Sequence, residues 1–139
     1  MKATGAVITG RRTFELADGW GGDHHDGVPI FILTRREPGS ETGQWSLITY
    51  VTDVRTAMTE AKEAAGDKNV LLHGAGTAQL ALAAAVLDEL EIHLIPVLLG
   101  QGRPAFRHFS LCAWAFEEGG SSATHWTLLG RTAARQYGG

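Results

Sequence analysis

The sequence predicts an α/β fold, and three observations predict it. Short apolar runs alternate with longer amphipathic ones along most of the 139 residues, which is the pattern of helices layered on a sheet. Several short runs, such as Ile30-Phe31-Ile32-Leu33, are built from the β-branched and aromatic types that fit a pleated surface. Glycine follows two of them just before helix-forming residues, at Gly10 and at Gly74. An apolar fraction of 44% in a chain of this length suits one compact domain over residues 1–139.

The elements follow in order. Ala6-Val7-Ile8 reads as a buried strand that Gly10 turns into a short helix ending by Gly19. Residues 19–27 are turn chemistry, and 28–33 form a strand with Pro29 near its start. A polar loop over 37–44 leads to a strand at 47–51. Thr52 or Asp53 caps a helix to Ala65, with Val54, Ala57, Met58 and Ala61 at helical spacing and Gly66 as its stop. Asn69-Val70-Leu71-Leu72 is too short for a helix and suits an inner parallel strand. Strong helix formers fill 77–87, and 89–99 reads as a strand entering the core. A turn at 100–104 precedes an antiparallel pair, 106–117 with 123–132, across a loop at 118–122.

Composition excludes some roles. Fifteen acidic against twelve basic residues give a net charge of -3, which offers no broad basic face to a nucleic acid. The longest apolar stretch, at 80–87, is far short of the roughly 20 residues a bilayer requires. Arg11, Arg12 and Glu15 arrive before an apolar signal core could form. A single cysteine, Cys112, allows no disulfide within the chain. The expectation is a cytoplasmic protein with neither membrane nor nucleic acid as partner.

Gly10-Arg11-Arg12-Thr13 and Gly74-Ala75-Gly76-Thr77 each place glycine between a buried strand and a helix start. Unpaired amides and the helix dipole favour phosphate there, and glycine lets a ligand approach the backbone. Arg11 and Arg12 add guanidinium groups that fork onto phosphate oxygens. Either segment by itself is also an ordinary tight turn. Thr34-Arg35-Arg36 adds a third element at the carboxyl end of a strand, where α/β sheets collect ligands, and its paired arginines suit a 2′-phosphate. Neither the Rossmann glycine fingerprint nor the Walker lysine motif is present.

Several blocks together resemble one family. Ile8-Thr9-Gly10-Arg11-Arg12-Thr13-Phe14, Pro29-Ile30-Phe31-Ile32-Leu33-Thr34, the loop at 73–77, and Leu87-Asp88-Glu89-Leu90 with Ile95-Pro96-Val97-Leu98-Leu99-Gly100-Gln101-Gly102-Arg103-Pro104 are similar to successive blocks of the dihydrofolate reductase superfamily. The likeness spans about 3–106 and is greatest to the riboflavin-biosynthesis-reductase branch. It implies a three-layer fold with a central, mostly parallel sheet, helices on both faces and a C-terminal antiparallel hairpin. It also implies NADPH, with Gly10, Arg11, Arg12 and Thr13 at its phosphates, and Thr34, Arg35 and Arg36 by the adenosine end. Gly74, Ala75, Gly76 and Thr77 would face the pyrophosphate from the other side.

The resemblance puts His93 at a strand position that in relatives looks into the substrate pocket, where it could hydrogen-bond a substrate or relay a proton. The other reading is a half-buried strand histidine, because alternate side chains point to opposite faces. Asp23-His24-His25-Asp26 carries metal-ligand types, but adjacent ligands in a glycine-flanked loop seldom converge, and a solvated loop accounts for them. No metal is expected. Trp20 packs on the core or borders the cofactor, and Cys112 reads as an ordinary strand residue.

Relatives carry a strand and mobile loop ahead of the first block, so the sheet read from this chain is N-terminally shortened and leaves strand edges and an apolar face to cover. A homodimer is the expected cover. The leading functional expectation is an NADPH-dependent reductase acting on a small pteridine-, pyrimidine- or carbonyl-type substrate. A nucleotide-binding protein without turnover, and a truncated member acting through dimer assembly, are the alternatives.

Overall fold

A computed structural model describes residues 3–24, 26–36, 45–94, 98, 100–102, 114–121 and 126–132, with 92–94 and the last two ranges described by their backbone alone. The chain divides into two compact units, Met1–Ala84 and Ala85–Gly139.

The first unit holds a four-stranded parallel sheet in the order β3-β2-β1-β4. Its strands are β1 (Thr4–Gly10), β2 (Ile30–Leu33), β3 (Ile48–Val51) and β4 (Asn69–His73). Parallel neighbours need crossovers; helix α1 (Arg11–Leu16) lies between β1 and β2 and α2 (Val54–Ala65) between β3 and β4, while α3 (Ala75–Ala83) follows β4. β1 is central, and Ala6, Val7, Ile8 and Thr9 are wholly buried. Adjacent residues of a strand point to opposite faces, so this burial means cover on both sides. Val7, Ile30, Ile32 and Phe14 form one core cluster, with Trp20, Val28, Trp45, Ile48 and Tyr50 packed around it. On α2 the buried stripe is Ala57, Met58, Ala61 and Ala65, the spacing read from the sequence.

The predicted cap of α2 is present. The Asp53 side chain accepts a hydrogen bond from the Thr56 amide at 2.9 Å, and Gly66 ends the helix at φ 58°. That amide, with the Thr56 hydroxyl, holds the Asp53 carboxyl below its usual range. A depressed folded-state pKa stabilises above the unfolded value, and this contribution is lost as pH falls through the folded one.

Two helix boundaries correct the sequence reading. α3 begins at Ala75 rather than 77 and ends at Ala83 rather than 87. Gly74 at φ 94° starts it early, because glycine tolerates the sharp turn out of β4. Ala85, at φ 54°, breaks it in a conformation alanine rarely adopts, so tertiary context overrides a strong helix propensity.

The second unit holds an antiparallel sheet in the order β5-β7-β6, from β5 (Glu89–Leu94), β6 (Trp114–Ser121) and β7 (Trp126–Thr132). β6 and β7 are the expected hairpin, but β6 runs through Ser121, where the sequence reading placed a loop. A register shift between Glu118 and Gly120 takes up the glycine pair within the strand. β5 pairs with β7, His93 opposite Thr127. The expected strand ends at 95–97 and 99, the turn residues 103–104, the strand start at 106–113 with Cys112, and 123–125 lie outside the described residues. Among the described residues no helix is long and apolar enough to cross a membrane.

Candidate functional site

Parallel pairing brings three sequence segments to one edge. β1 pairs with β2 on one side and β4 on the other, Thr9 opposite Ile32 and His73. The carboxyl ends of all three strands therefore lie side by side, and each leads into one of the predicted segments: 10–13, 34–36 and 74–77. Ligands of open α/β sheets gather at such an edge.

The two glycine bends interlock. A Cβ on Gly74 would lie 2.7 Å from Thr13 Oγ1, and a Cβ on Gly10 would lie 3.2 Å from Thr77 Oγ1. Each glycine is thus covered by a threonine in the first turn of the opposite segment's helix, with no room for a side chain at Gly74. Neither Gly10 nor Gly74 supplies a side-chain cap to its helix, so the first-turn amides of α1 and α3 receive no such bond. At Gly76, in the first turn of α3, a Cβ would meet nothing within 4 Å. The backbone there is open to close approach, while Thr77 beside it is buried.

The flanking side chains divide by role. Arg11 Nε is bonded to Glu15 one turn along α1, an ion pair in which both side chains are about half exposed. Arg12, Arg35 and Arg36 are exposed. Thr34 is buried, and its hydroxyl accepts a hydrogen bond from the Arg36 amide at 3.2 Å. Its amide donates to the Val51 carbonyl at 2.9 Å. Thr34 therefore shapes the turn that carries Arg35 and Arg36 outward, a structural task that its letter does not announce.

A ring cluster stands at the same edge. Residues Asp18–Gly22 form a left-handed turn, with Asp18, Gly19, Trp20, Gly21 and Gly22 all at positive φ. This arrangement costs on the order of 1 kcal/mol for each non-glycine member. It is held by the Trp45 ring, which fills the space above Gly19 and Gly22. Trp20 meets Phe14 edge-on at 5.9 Å and reaches His24 at 4.3 Å and His73 at 5.6 Å. The His24 and His73 rings lie 5.1 Å apart.

This corrects the solvated-loop reading of 23–26 at His24 alone, since Asp23 and Asp26 are exposed as that reading expects. Asp23 does turn the loop, its carboxylate accepting from the Gly27 amide at 2.9 Å, but His24 is half-buried against Trp20 and His73. His25 lies outside the described residues. Sequence reasoning also passed over His73 as a site residue. The signal was weak: a histidine directly before Gly74, with nothing local to pair it with a loop in a distant part of the chain. His93 lies in the second unit, and its side chain is outside what the structure describes.

The fold has solved relatives. The chain is similar to a crystal structure from Shewanella sp. PV-4 of a protein assigned to riboflavin biosynthesis, with TM-score 0.72 and 20% identity over 93% of this chain and 74% of that one. It is also similar to dihydrofolate reductase from Enterococcus faecalis complexed with NADP(H) and RAB-propyl, with TM-score 0.56 and 18% identity over 91% and 73%. Identities this low speak for the fold alone. No curated protein sequence matches. The RibD C-terminal domain model matches residues 2–122, both glycine bends included. With that match across most of its length and a dihydrofolate-reductase-like fold beneath it, the chain belongs to the RibD C-terminal domain family, a family of reductases.

Proposed function

We propose that this protein is an NADPH-dependent reductase that transfers hydride to a small pteridine-, pyrimidine- or carbonyl-type substrate. The observation that carries the reading is the interlocked pair of glycine bends at adjacent strand ends. Their form fits a dinucleotide: the two threonine-covered glycines hold two helix starts together, and the open face at Gly76 admits a phosphate against the backbone. When bound, the cofactor supplies the hydride.

The chain's own residues would bind and orient. First-turn amides of 10–13 and 74–77 would take the phosphates, and Arg12 would add charge. Arg11 is available despite its pairing with Glu15, because magnitudes favour exchange. An exposed helical ion pair is worth about 0.3–0.5 kcal/mol, whereas a hydrogen bond to a charged group is worth about 1.5–3 kcal/mol. Arg35 and Arg36, carried outward by the Thr34 turn, would meet the 2′-phosphate. His93, from the family resemblance, is the proposed proton donor.

Loss of nicotinamide absorbance with an acceptor from the three substrate classes tests turnover; nucleotide binding without turnover on any acceptor would favour the non-catalytic alternative. Arg35→Ala is expected to weaken NADPH by about tenfold or more while barely changing NADH, as one charge-assisted bond to the 2′-phosphate is lost. Equal losses for both nucleotides, measured by fluorescence titration, would remove Arg35 from the adenosine end.

A homodimer belongs to the same proposal. Among the described strands β4 pairs with β1 alone, and Leu71 on it is 36% exposed with Val70 and Leu72 only half-buried. Sedimentation equilibrium is expected to give twice the chain mass; a monomer at micromolar concentration would rule this out.

A further inference from the structure

We propose that Thr9 is a positioning residue of the nucleotide site, a buried hydroxyl that holds the peptides leading into both glycine bends in the orientation that receives a phosphate. The proposal rests on the reductase reading above and adds to it a residue buried out of a ligand's reach. Thr9 directly precedes Gly10, and its parallel partner on β4 is His73, which directly precedes Gly74. Its side chain is wholly buried, and its hydroxyl lies 3.5 Å from the carbonyl oxygens of both Gly10 and His73. One side chain thus reaches the last carbonyl before α1 and the last before the bend into α3.

Stability does not account for a hydroxyl at this place. Ala6, Val7 and Ile8 before it are apolar and equally buried, and valine would fill almost the same space. A buried hydroxyl costs free energy unless it is well bonded. Contacts of 3.5 Å are long for an O–H donor, whose usual reach is about 2.5–3.0 Å, and its single proton serves one acceptor at a time. The two acceptors, however, are the ones that matter to the bends. A peptide group is planar, so a bond to the Gly10 carbonyl fixes the Arg11 amide, and a bond to the His73 carbonyl fixes the Gly74 amide. These are the first amides of the two bends, at helix starts that have no side-chain cap. A phosphate accepting from either amide polarises that peptide and strengthens the bond its carbonyl receives from Thr9, because hydrogen bonds in a chain reinforce one another.

Thr9→Val and Thr9→Ser separate this role from a structural one. Valine keeps the volume and removes the hydroxyl, whereas serine keeps the hydroxyl and removes a buried methyl. Thr9→Val is expected to unfold at or above the wild-type urea midpoint, yet to bind NADPH and inorganic pyrophosphate about five- to tenfold more weakly. Thr9→Ser is expected to unfold at lower urea, as the loss of a methyl from a packed core requires, yet to bind both ligands within about twofold of the wild type. A side chain that only fills the core would rank the variants the same way in both properties.

Calorimetric titration of the full chain gives the affinities. Equal binding by the wild type and Thr9→Val, or a loss in Thr9→Ser as large as that in Thr9→Val, overturns this proposal and leaves the reductase reading intact. Pyrophosphate binding that weakens in Thr9→Val, without binding of NADPH, does the reverse. Binding of neither ligand by the wild type overturns both. Should a variant fail to fold, proton NMR of the wild-type chain decides: pyrophosphate should slow the exchange of the Thr9 hydroxyl proton with water, and an unchanged exchange rate ends the proposal.

Discussion

Gly22→Ala is expected to cost about 2–5 kcal/mol of stability, roughly twice the loss from Gly21→Ala one position away. Both residues have positive φ, 86° and 64°, so alanine at either pays roughly 1–2 kcal/mol of left-handed strain. They differ in what a side chain would meet. At Gly21 a Cβ finds nothing within 4 Å, whereas at Gly22 it would lie 2.4 Å from Trp45 Cδ1 and 2.6 Å from Cγ. The indole is backed by Phe14, at 5.7 Å and 78°, which limits its retreat. Forcing a methyl into so tight a contact adds about 1–3 kcal/mol. Urea unfolding followed by circular dichroism measures both variants. Equal midpoints would show that backbone strain alone sets the cost and that Trp45 is not the brace of the turn.

Gly74→Ala and Gly76→Ala should separate folding from binding. Gly74 sits at φ 94°, ψ 140°, and its Cβ would lie 2.7 Å from Thr13 Oγ1. Strain of about 1–3 kcal/mol is expected, together with displacement of Thr13 and at least tenfold weaker NADPH binding as the two helix starts move apart. Gly76 is different, since it lies inside α3 with ordinary φ and open space around it. Alanine there should raise stability by about 0.5–1 kcal/mol, the usual helical preference over glycine. If a phosphate lies against that open face, the same methyl should weaken NADPH by about tenfold despite the firmer fold. A Gly76→Ala protein that binds NADPH unchanged would place the phosphates elsewhere, whatever its stability.

The turn and the bends bear on one another. Trp20, strained in the left-handed turn, touches His73, which leads directly into Gly74. Non-glycine residues persist in such conformations only where surrounding packing over-determines them, and Trp45, Phe14 and the two imidazoles supply that packing. The ring cluster and the glycine bends are thus neighbouring parts of one edge.

Local chemistry was enough for much of this protein. The strand at 69–72, the Asp53 cap, the Gly66 stop and the stripe of Ala57, Met58 and Ala61 were all legible, because period, capping and glycine conformations act over a few residues. The two glycine bends were legible as separate anion-site candidates for the same reason. That they interlock was not. It follows from β1 and β4 pairing in parallel across more than half the first unit, a contact that no window of sequence contains. The limits of α3 and the continuation of β6 past Glu118 were likewise decided by packing and register, which outweigh propensity. Most of all, the union of Trp20, His24 and His73 belongs to the tertiary structure. A loop histidine reads as solvated until the chain returns a strand to its side, and only then do two imidazoles acquire each other, with a glycine bend next along the chain.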